Sequence, residues 1–567
     1  MTKLFFHRKK IKKLPRLFLL LTLAGFLACN SDNSEVDSAS GEVSLKQVVE
    51  TLGGIDAIKE LNTISFTIEG SSYEYGQDIP HIESPINDSN YQLEVSKVLS
   101  ERKVKLEHDF INYNYPFAYK GSGNTLIIDN FEGSISGEYN LVSIYSGNQS
   151  AVGMHASRIE AVLKVQKMSN PLELLKELME EYDLSQKTTS NSFQLPTEIE
   201  GLAIEIFIDP ETFYPTKAVV KESDYLYGDI LFQITYSDWE NTGDFQFPKK
   251  LSHLINNNEI RNETISNVII NPDFPQDFFN IETATPTIYN LIEGKNGIYF
   301  SQWYYRLFYQ ALPMDQSINI ALALEDVDLS QFNIGSQYVS EDIKIIGRPD
   351  VTIWPVAIRT DSGVLIVDTP LGEKWAKSVL NVVANEFPGE PIVGIIPSHM
   401  HNTHFEGIRT FASKTSDIYV GKGGVEFTNF VLNQTHSLVP DLLSTSSNSV
   451  KINEVEGVTY LDGGSVEIHL LESESIGGNP HAEDLTIVYL PNEGILIQAD
   501  FYYSGLLENV FNNLTFNTFP EEVKQSLKSR AQFLLNFISE KNLSVEKIIS
   551  LHGGVTTIED VQNVANY

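Results

Sequence analysis

The sequence predicts two folded regions of different class. The first, residues 44–284, reads as mostly antiparallel β with one or two helices (α+β); the second, 285–567, reads as a layered α/β region. Three observations predict this. Apolar residues alternate with polar ones at period 2, with many β-branched and aromatic side chains, from Thr63 to about Asn280. Composition shifts around 281–292 (IETATPTIYNLI). Beyond that point strand-like and helix-like segments take turns. With 567 residues and 42% hydrophobic residues, the chain is long and apolar enough for more than one core.

The chain opens on a basic stretch that includes Lys3, Arg8, Lys9, Lys10, Lys12, Lys13 and Arg16, followed by an uncharged apolar run at 17–28. That run is shorter than the ~20 residues that span a bilayer, and reads as the apolar part of a secretory leader. It ends in Phe26-Leu27-Ala28-Cys29. Small Ala28 before the only cysteine resembles a bacterial lipoprotein signal, with Phe26 departing from the usual Leu. The resemblance implies cleavage before Cys29, lipidation of Cys29, and a place in the bacterial cell envelope, at the outer membrane or the periplasmic face. An ordinary signal peptide with an incidental Cys is the alternative. Residues 29–43 are polar and acidic, a flexible tether by composition. No later run reaches 18 apolar residues, so the membrane is expected as a partner through the lipid alone.

Forty Lys+Arg against 75 Asp+Glu give a formal charge of −35, which disfavours a phosphate-backbone partner and hence nucleic acid. A single cysteine excludes an internal disulfide, a Cys-based zinc site and a Cys nucleophile within a folded region.

In the first region, residues 44–61 have helical spacing on both sides of Gly53-Gly54. Strands follow at TISFTIEG (63–70), GLAIEIFID (201–209), AVVKE (218–222) and DILFQITYSDW (229–239). One helical island, 157–183, is broken near Asn170-Pro171. The order of these features resembles the half-barrel of lipoprotein carriers and sensors. That implies an apolar groove for lipid or peptide; a plain module that presents the next region fits the same residues. In the second region, 350–360 and 363–370 read as neighbouring strands, 373–387 as an amphipathic helix, and 391–399 as a buried strand entering a loop.

Seven of the twelve histidines lie after residue 390, and three are packed into SHMHNTHFEGIRTF (398–411). Residues i and i+2 at a strand end point the same way, so His399 and His401 can share one metal. His404 falls in what reads as the first turn of the helix EGIRTFASK. Neutral imidazole is the commonest protein donor for zinc-like ions. Further ligand types sit at strand ends: His481 before LTIVYLP (485–491), Asp500 as the last residue of GILIQAD (494–500), and His552 where the strand of KIISLHGG (547–554) runs into a loop. His436 and His469 share the region without a motif; His81, His108, His155 and His253 are scattered through the β-rich part, and all six read as packing or surface.

These pieces, in the order GVLIVDTP, SHMHNTHFEG, GNPHAEDLTIVYLPNEGILIQADFYYSG and SLHGG, resemble the metallo-β-lactamase fold superfamily over most of 350–554. The resemblance implies an αβ/βα four-layer sandwich. It implies one metal on His399, His401 and His481, and a second on position 403, His404 and His552. Asp500 would bridge the two, and Asp368 would support the site from behind. Position 403 departs from the pattern: it is Thr, where the family motif has Asp. Thr403 reads as a helix N-cap. Glu406 is available as a substitute carboxylate, though a solvated helix face is its plainer reading.

The expected activity is that of a metal-dependent hydrolase. Zn2+, as one ion or two, with iron as the other candidate, would lower the pKa of a bound water to about 7 for attack on an ester, thioester, lactone or lactam. Asp500 and Asp368 are the expected catalytic carboxylates. Two other readings stay open. One is a lipid-anchored binding or sensing protein with a degenerate metal site, motivated by Thr403; the other is a mononuclear iron oxygenase. Substrate choice is expected from loops over the site, with 303–346 and 421–456 as candidates.

Overall fold

The computed structural model describes residues 42–74, 86–112, 119–130, 132–141, 145–154, 156–196, 203–281, 334–347, 354–471, 482–500, 502, 521–552 and 554–566. The leader, Cys29, the tether up to residue 41, His81, His155 and the aromatic stretch 303–333 lie outside these residues. No described helix is long and apolar enough to cross a membrane.

The helices expected around Gly53-Gly54 are Leu45–Leu52 and Ile55–Glu60. Ser44 and Gln47 close a capping box at the first, which satisfies two otherwise orphaned N–H groups. Gly53, at φ +148°, ends it where a Cβ would come 2.8 Å from the Phe245 ring. The helical island divides as expected, into Ala156–Met168 and Pro171–Glu181. Asn170 caps the second helix and Pro171 opens it, where a missing N–H costs nothing.

The strands of this region form one 12-stranded sheet, antiparallel throughout. Two meanders are joined where the first strand, Thr63–Glu74, pairs with the last, Asn258–Ile270. The sheet curls around the helix pair. Glu173, near the start of Pro171–Glu181, holds Lys97 on strand Ile86–Val98. Tyr182, just past that helix, donates to the Gln194 carbonyl at 2.7 Å on strand Ser192–Pro196. Those strands are seven places apart in the sheet. On a flat sheet that is about 34 Å, far more than the ~14 Å of helix between the two residues. Among the described residues, strands Tyr145–Gly153 and Ser192–Pro196 are the two edges of this sheet.

The second region is a four-layer sandwich, built by strict alternation. A seven-stranded sheet holds Gly335–Tyr338, Ile343–Gly347, Val356–Thr360, Gly363–Val367, Ile392–Ile396, Asp417–Gly421 and Lys451–Val455, in that order. A six-stranded sheet holds Val458–Leu461, Val466–Leu470, Thr486–Leu490, Ile495–Gln498, Lys547–Ser550 and Val555–Thr557. Leu365 and Val367 face Val488, Ile497 and Ile549 in a core between the sheets. Their neighbours Val364 and Ile366 face outward, into the core that includes Trp375 and Val379 of helix Gly372–Glu386. On the other side Leu496 and Ile548 share that outward environment with Leu527 and Leu534 of helix Glu521–Glu540. Burial on both faces explains why these strands read as unbroken apolar runs.

A turn of the 12-stranded sheet reaches into the sandwich. The Asp224 carboxylate accepts from the N–H groups of Leu226 and Tyr227, both at 2.8 Å, and tightens the turn. Tyr225 packs on Gly372, whose absent Cβ would lie 2.7 Å from the ring. Tyr227 sits between Phe427 and Phe430, with ring centroids 6.2 and 5.8 Å away. Asp229 accepts from the N–H groups of Ser437 and Leu438, each at 3.0 Å. Tyr227→Ala should therefore destabilise the protein by about 3–5 kcal/mol, the cost of deleting a large buried aromatic. A lowered urea midpoint with an unchanged slope checks it.

Candidate metal centre

The site is assembled at strand ends. Strand Gly363–Val367 runs parallel to Ile392–Ile396, and Ile495–Gln498 runs parallel to Lys547–Ser550. Both pairs therefore deliver their following residues to one edge of the sandwich, the usual place for a site in layered α/β folds. Asp368 follows the first of these strands, His399 the second, Asp500 the third and His552 the fourth. His401 and His404 come from the turn and short helix, Asn402–Phe405, after His399.

The ligand-capable atoms of His399, His401 and Asp500 lie within 4.8 Å of one another, and so do those of His404, Asp500 and His552. Asp500 belongs to both groups. Its Oδ1 is 2.9 Å from His404 Nε2 and 2.5 Å from His552 Nε2, and its Oδ2 is 3.8 Å from His399 Nε2. His404 Nε2 and His552 Nε2 are 3.0 Å apart. Two imidazole nitrogens this close, both facing one carboxylate oxygen, need a proton or a cation among them. Four imidazoles and a carboxylate, with no thiolate, form a donor set suited to zinc-like ions.

The far sides of the rings are held. The Asp368 carboxylate takes His404 Nδ1 on one oxygen and the Ser398 N–H, at 2.8 Å, on the other. Ser398 Oγ lies 3.0 Å from His399 Nδ1. With its Nδ1 proton directed at Asp368, His404 turns its Nε2 toward the cluster. Asp368 achieves this at φ +71°, and Leu371 nearby is at +56°. Such backbone costs about 1–3 kcal/mol per residue and persists only where the surroundings fix it. Here the Asp368 N–H donates to the Ile396 carbonyl at 2.9 Å, and the Thr369 N–H donates to the His404 carbonyl at 2.9 Å.

Burial works to lower the pKa of His404, but the charges of Asp368 and Asp500, and the hydrogen bonds to both, overcome it and push the value up to about 10. The metal-free protein thus holds an imidazolium between two carboxylates. Its ordinary value is 6.5, so this proton's stabilising contribution is fully present below pH 6.5 and is lost as pH rises through about 10. Urea midpoints in chelator should fall from pH 6 to pH 10. Apparent metal affinity should rise over the same range, because the metal must displace the proton.

Several expectations need correction. Thr403 is not the N-cap. That place belongs to His401, whose carbonyl accepts the His404 N–H at 2.8 Å, and Thr403 lies inside the helix. His404 does not open the helix that follows: Gly407 donates to the Thr369 carbonyl at 2.7 Å, which breaks the helical ladder, and a separate helix, Ile408–Ala412, begins after it. Glu406 is not on a solvated face, being 2% exposed, and it belongs to neither ligand group. His481 lies outside the described residues. Of the other histidines, His469 pairs with Glu467 at 2.9 Å and His253 with Glu263 at 3.0 Å. His108 is buried and pushed down to about 3 by burial and the Arg261 charge. His436 packs beside Asp441. None of these four joins a ligand group among the described residues.

Sequence reasoning missed Asp484. It is 1% exposed and accepts the Met400 N–H, between His399 and His401, at 3.3 Å. Burial raises its carboxyl to about 7, against the two backbone N–H groups that lower it. The signal available was a carboxylate three residues after His481 at the head of an apolar strand.

No protein-family model matches the chain, and no curated protein matches it in sequence. Among solved structures, a DIM-1 metallo-β-lactamase exposed to ceftazidime aligns over 41% of this chain and 95% of its own, at 17% identity and TM-score 0.29. A metallo-β-lactamase from Pontibacter korlensis aligns over 41% and 98%, at 14% identity and TM-score 0.28. A double mutant of the sec-alkyl sulfatase PisA1 aligns over 41% of each chain, at 19% identity and TM-score 0.28.

Proposed function

We propose that the protein is a metal-dependent hydrolase of acyl substrates, of ester, thioester, lactone or lactam type. The observation that carries this reading is the convergence of His399, His401, His404, Asp500 and His552, drawn from distant parts of the chain, in two adjoining groups that share Asp500 at the strand ends. His399, His401 and Asp500, with His481 as the expected fourth ligand, would hold one ion; His404, Asp500 and His552 would hold the other. A divalent cation there supplies Lewis acidity and a lowered pKa for water. The protein's part is to aim the inner ring nitrogens at the ion and to fix the rings from the outer side. Asp368 orients His404, Ser398 orients His399, and Asp484 holds the backbone between His399 and His401. Asp500 spans both groups and contributes the negative charge that offsets bound cations. Thr403 offers no carboxylate, so the second group carries one charge fewer than the family motif would give it. Zinc is the ion we assign, on the strength of the imidazole-rich donor set.

A second reading has a specific basis. His399, His401 and Asp500 are two histidines and a carboxylate, a set that also suits a lone iron. The same purified protein distinguishes the readings. Metal analysis and a panel of acyl substrates, with and without chelator, should give stoichiometric zinc and chelator-sensitive hydrolysis. Bound iron with oxygen uptake would select the oxygenase. Stoichiometric metal with no turnover on the panel would select a binding or sensing protein. We also assign Cys29 as the lipid attachment point at the cell envelope, which metabolic labelling with a palmitate analogue tests against a Cys29→Ser variant.

A further inference from the structure

Asp368 reaches His404 from an unusual stretch of backbone. Between residues 368 and 372, three have left-handed dihedrals: Asp368 at φ +71°, Leu371 at +56° and Gly372 at +65°. A bulky residue such as Leu371 rarely adopts that conformation, which persists only where neighbours hold it. Part of the hold is local. The Thr369 hydroxyl donates to the His404 carbonyl at 3.1 Å, and the Thr369 carbonyl accepts the Gly407 N–H at 2.7 Å. Gly407 lies so near that an added Cβ would come 2.9 Å from the Pro370 carbonyl oxygen. These contacts fix Thr369 and Pro370, the middle of the stretch.

Its end is met from the first region of the chain. Tyr225 is 6% exposed and lays its ring on Gly372: a Cβ there would lie 2.7, 2.8 and 3.1 Å from the Cε2, Cζ and Cδ2 carbons. The ring therefore packs on bare backbone, four residues from the carboxylate that takes His404 Nδ1. The turn that carries Tyr225 is itself held. Asp224 accepts from the N–H groups of Leu226 and Tyr227, and Tyr227 is seated against Phe427 and Phe430.

We propose that Tyr225 is a positioning residue of the metal centre: its ring holds residues 368–372 on their left-handed path and thereby keeps the Asp368 carboxylate on His404. The inference rests on the metal-centre reading and adds that the first region supplies part of that centre's support. Without the ring the strained backbone relaxes, and Asp368 moves off the imidazole it orients. The contact with Gly372 is made by ring carbons, so a phenyl ring suffices for it.

Zinc titration of the full chain at pH 7.5, in competition with a chromophoric chelator, tests this, with urea midpoints measured beside it. Tyr225→Ala should weaken the binding of at least one zinc ion tenfold or more, the lower end of the loss seen when a ligand's outer partner is removed. Tyr225→Phe should bind as the wild type does. Tyr225→Leu keeps an apolar side chain without a flat ring; it should also lose affinity, and it decides the matter if Tyr225→Ala does not fold. Phe430→Ala loosens the same junction on the Tyr227 side, and should lower the urea midpoint with zinc affinity unchanged. Unchanged affinity in a folded Tyr225→Ala or Tyr225→Leu protein, a loss in Tyr225→Phe, or an equal loss in Phe430→Ala would overturn the proposal and leave the metal centre standing. A wild-type protein that binds no zinc would overturn both.

Discussion

Asp500→Asn is expected to lose metal-dependent turnover by about 10³-fold or more, the scale of removing a group that acts with every other member of a centre. Asn keeps the size of the side chain and replaces a carboxylate oxygen with an amide. Both ligand groups contain Asp500, so one substitution weakens both. The amide also takes away a negative charge that faces His399, His404 and His552. Metal content should fall together with rate. Elemental analysis beside steady-state kinetics checks this, and a variant with full metal content and an unchanged rate would remove Asp500 from the centre.

The second large effect is expected at Asp368, which acts through His404. Asp368→Asn preserves the backbone, because Asn tolerates the left-handed region better than most residues. It can also preserve the hydrogen bond from the Ser398 N–H. Its amide nitrogen would then donate to His404 Nδ1, forcing the imidazole proton onto Nε2, the atom that faces Asp500. The wrong tautomer cannot ligate. Metal affinity should drop about 10–100-fold, the range seen when a ligand's outer partner is lost. The pH dependence of metal binding should flatten too, since the proton on His404 is no longer held between two carboxylates. A purely structural role for Asp368 would leave that pH profile in place.

The sequence made some of this legible and hid the rest for physical reasons. The spacing of His399, His401 and His404, and the strand-end positions of Asp500 and His552, follow from local patterns, and the structure brings these five together. The alternation that builds the sandwich was visible as apolar runs, and the break at Asn170-Pro171 marks a real helix boundary. What was hidden depends on distant partners. Glu406 reads as solvated because nothing local buries it. Thr403 reads as a cap because Thr so often is one; the tether between Gly407 and Thr369, 38 residues away in the chain, sets that turn instead. The pairing of Thr63–Glu74 with Asn258–Ile270 closes almost the whole length of the first region, beyond any short window. The groove expected to be apolar carries buried ion pairs, because Lys97 and Glu173 meet only when helix Pro171–Glu181 packs on strand Ile86–Val98.

The turn formed by Tyr225, Leu226 and Tyr227 works as a peg driven from the front half of the protein into the back half. Pulling it out would empty a socket at the root of helix Gly372–Glu386, four residues from Asp368, and bare the rings of Phe427 and Phe430. A gene trimmed to begin after residue 330 is therefore expected to yield sticky, poorly folded material rather than a smaller working enzyme. The two halves are expected to fold, and to unfold, as one piece.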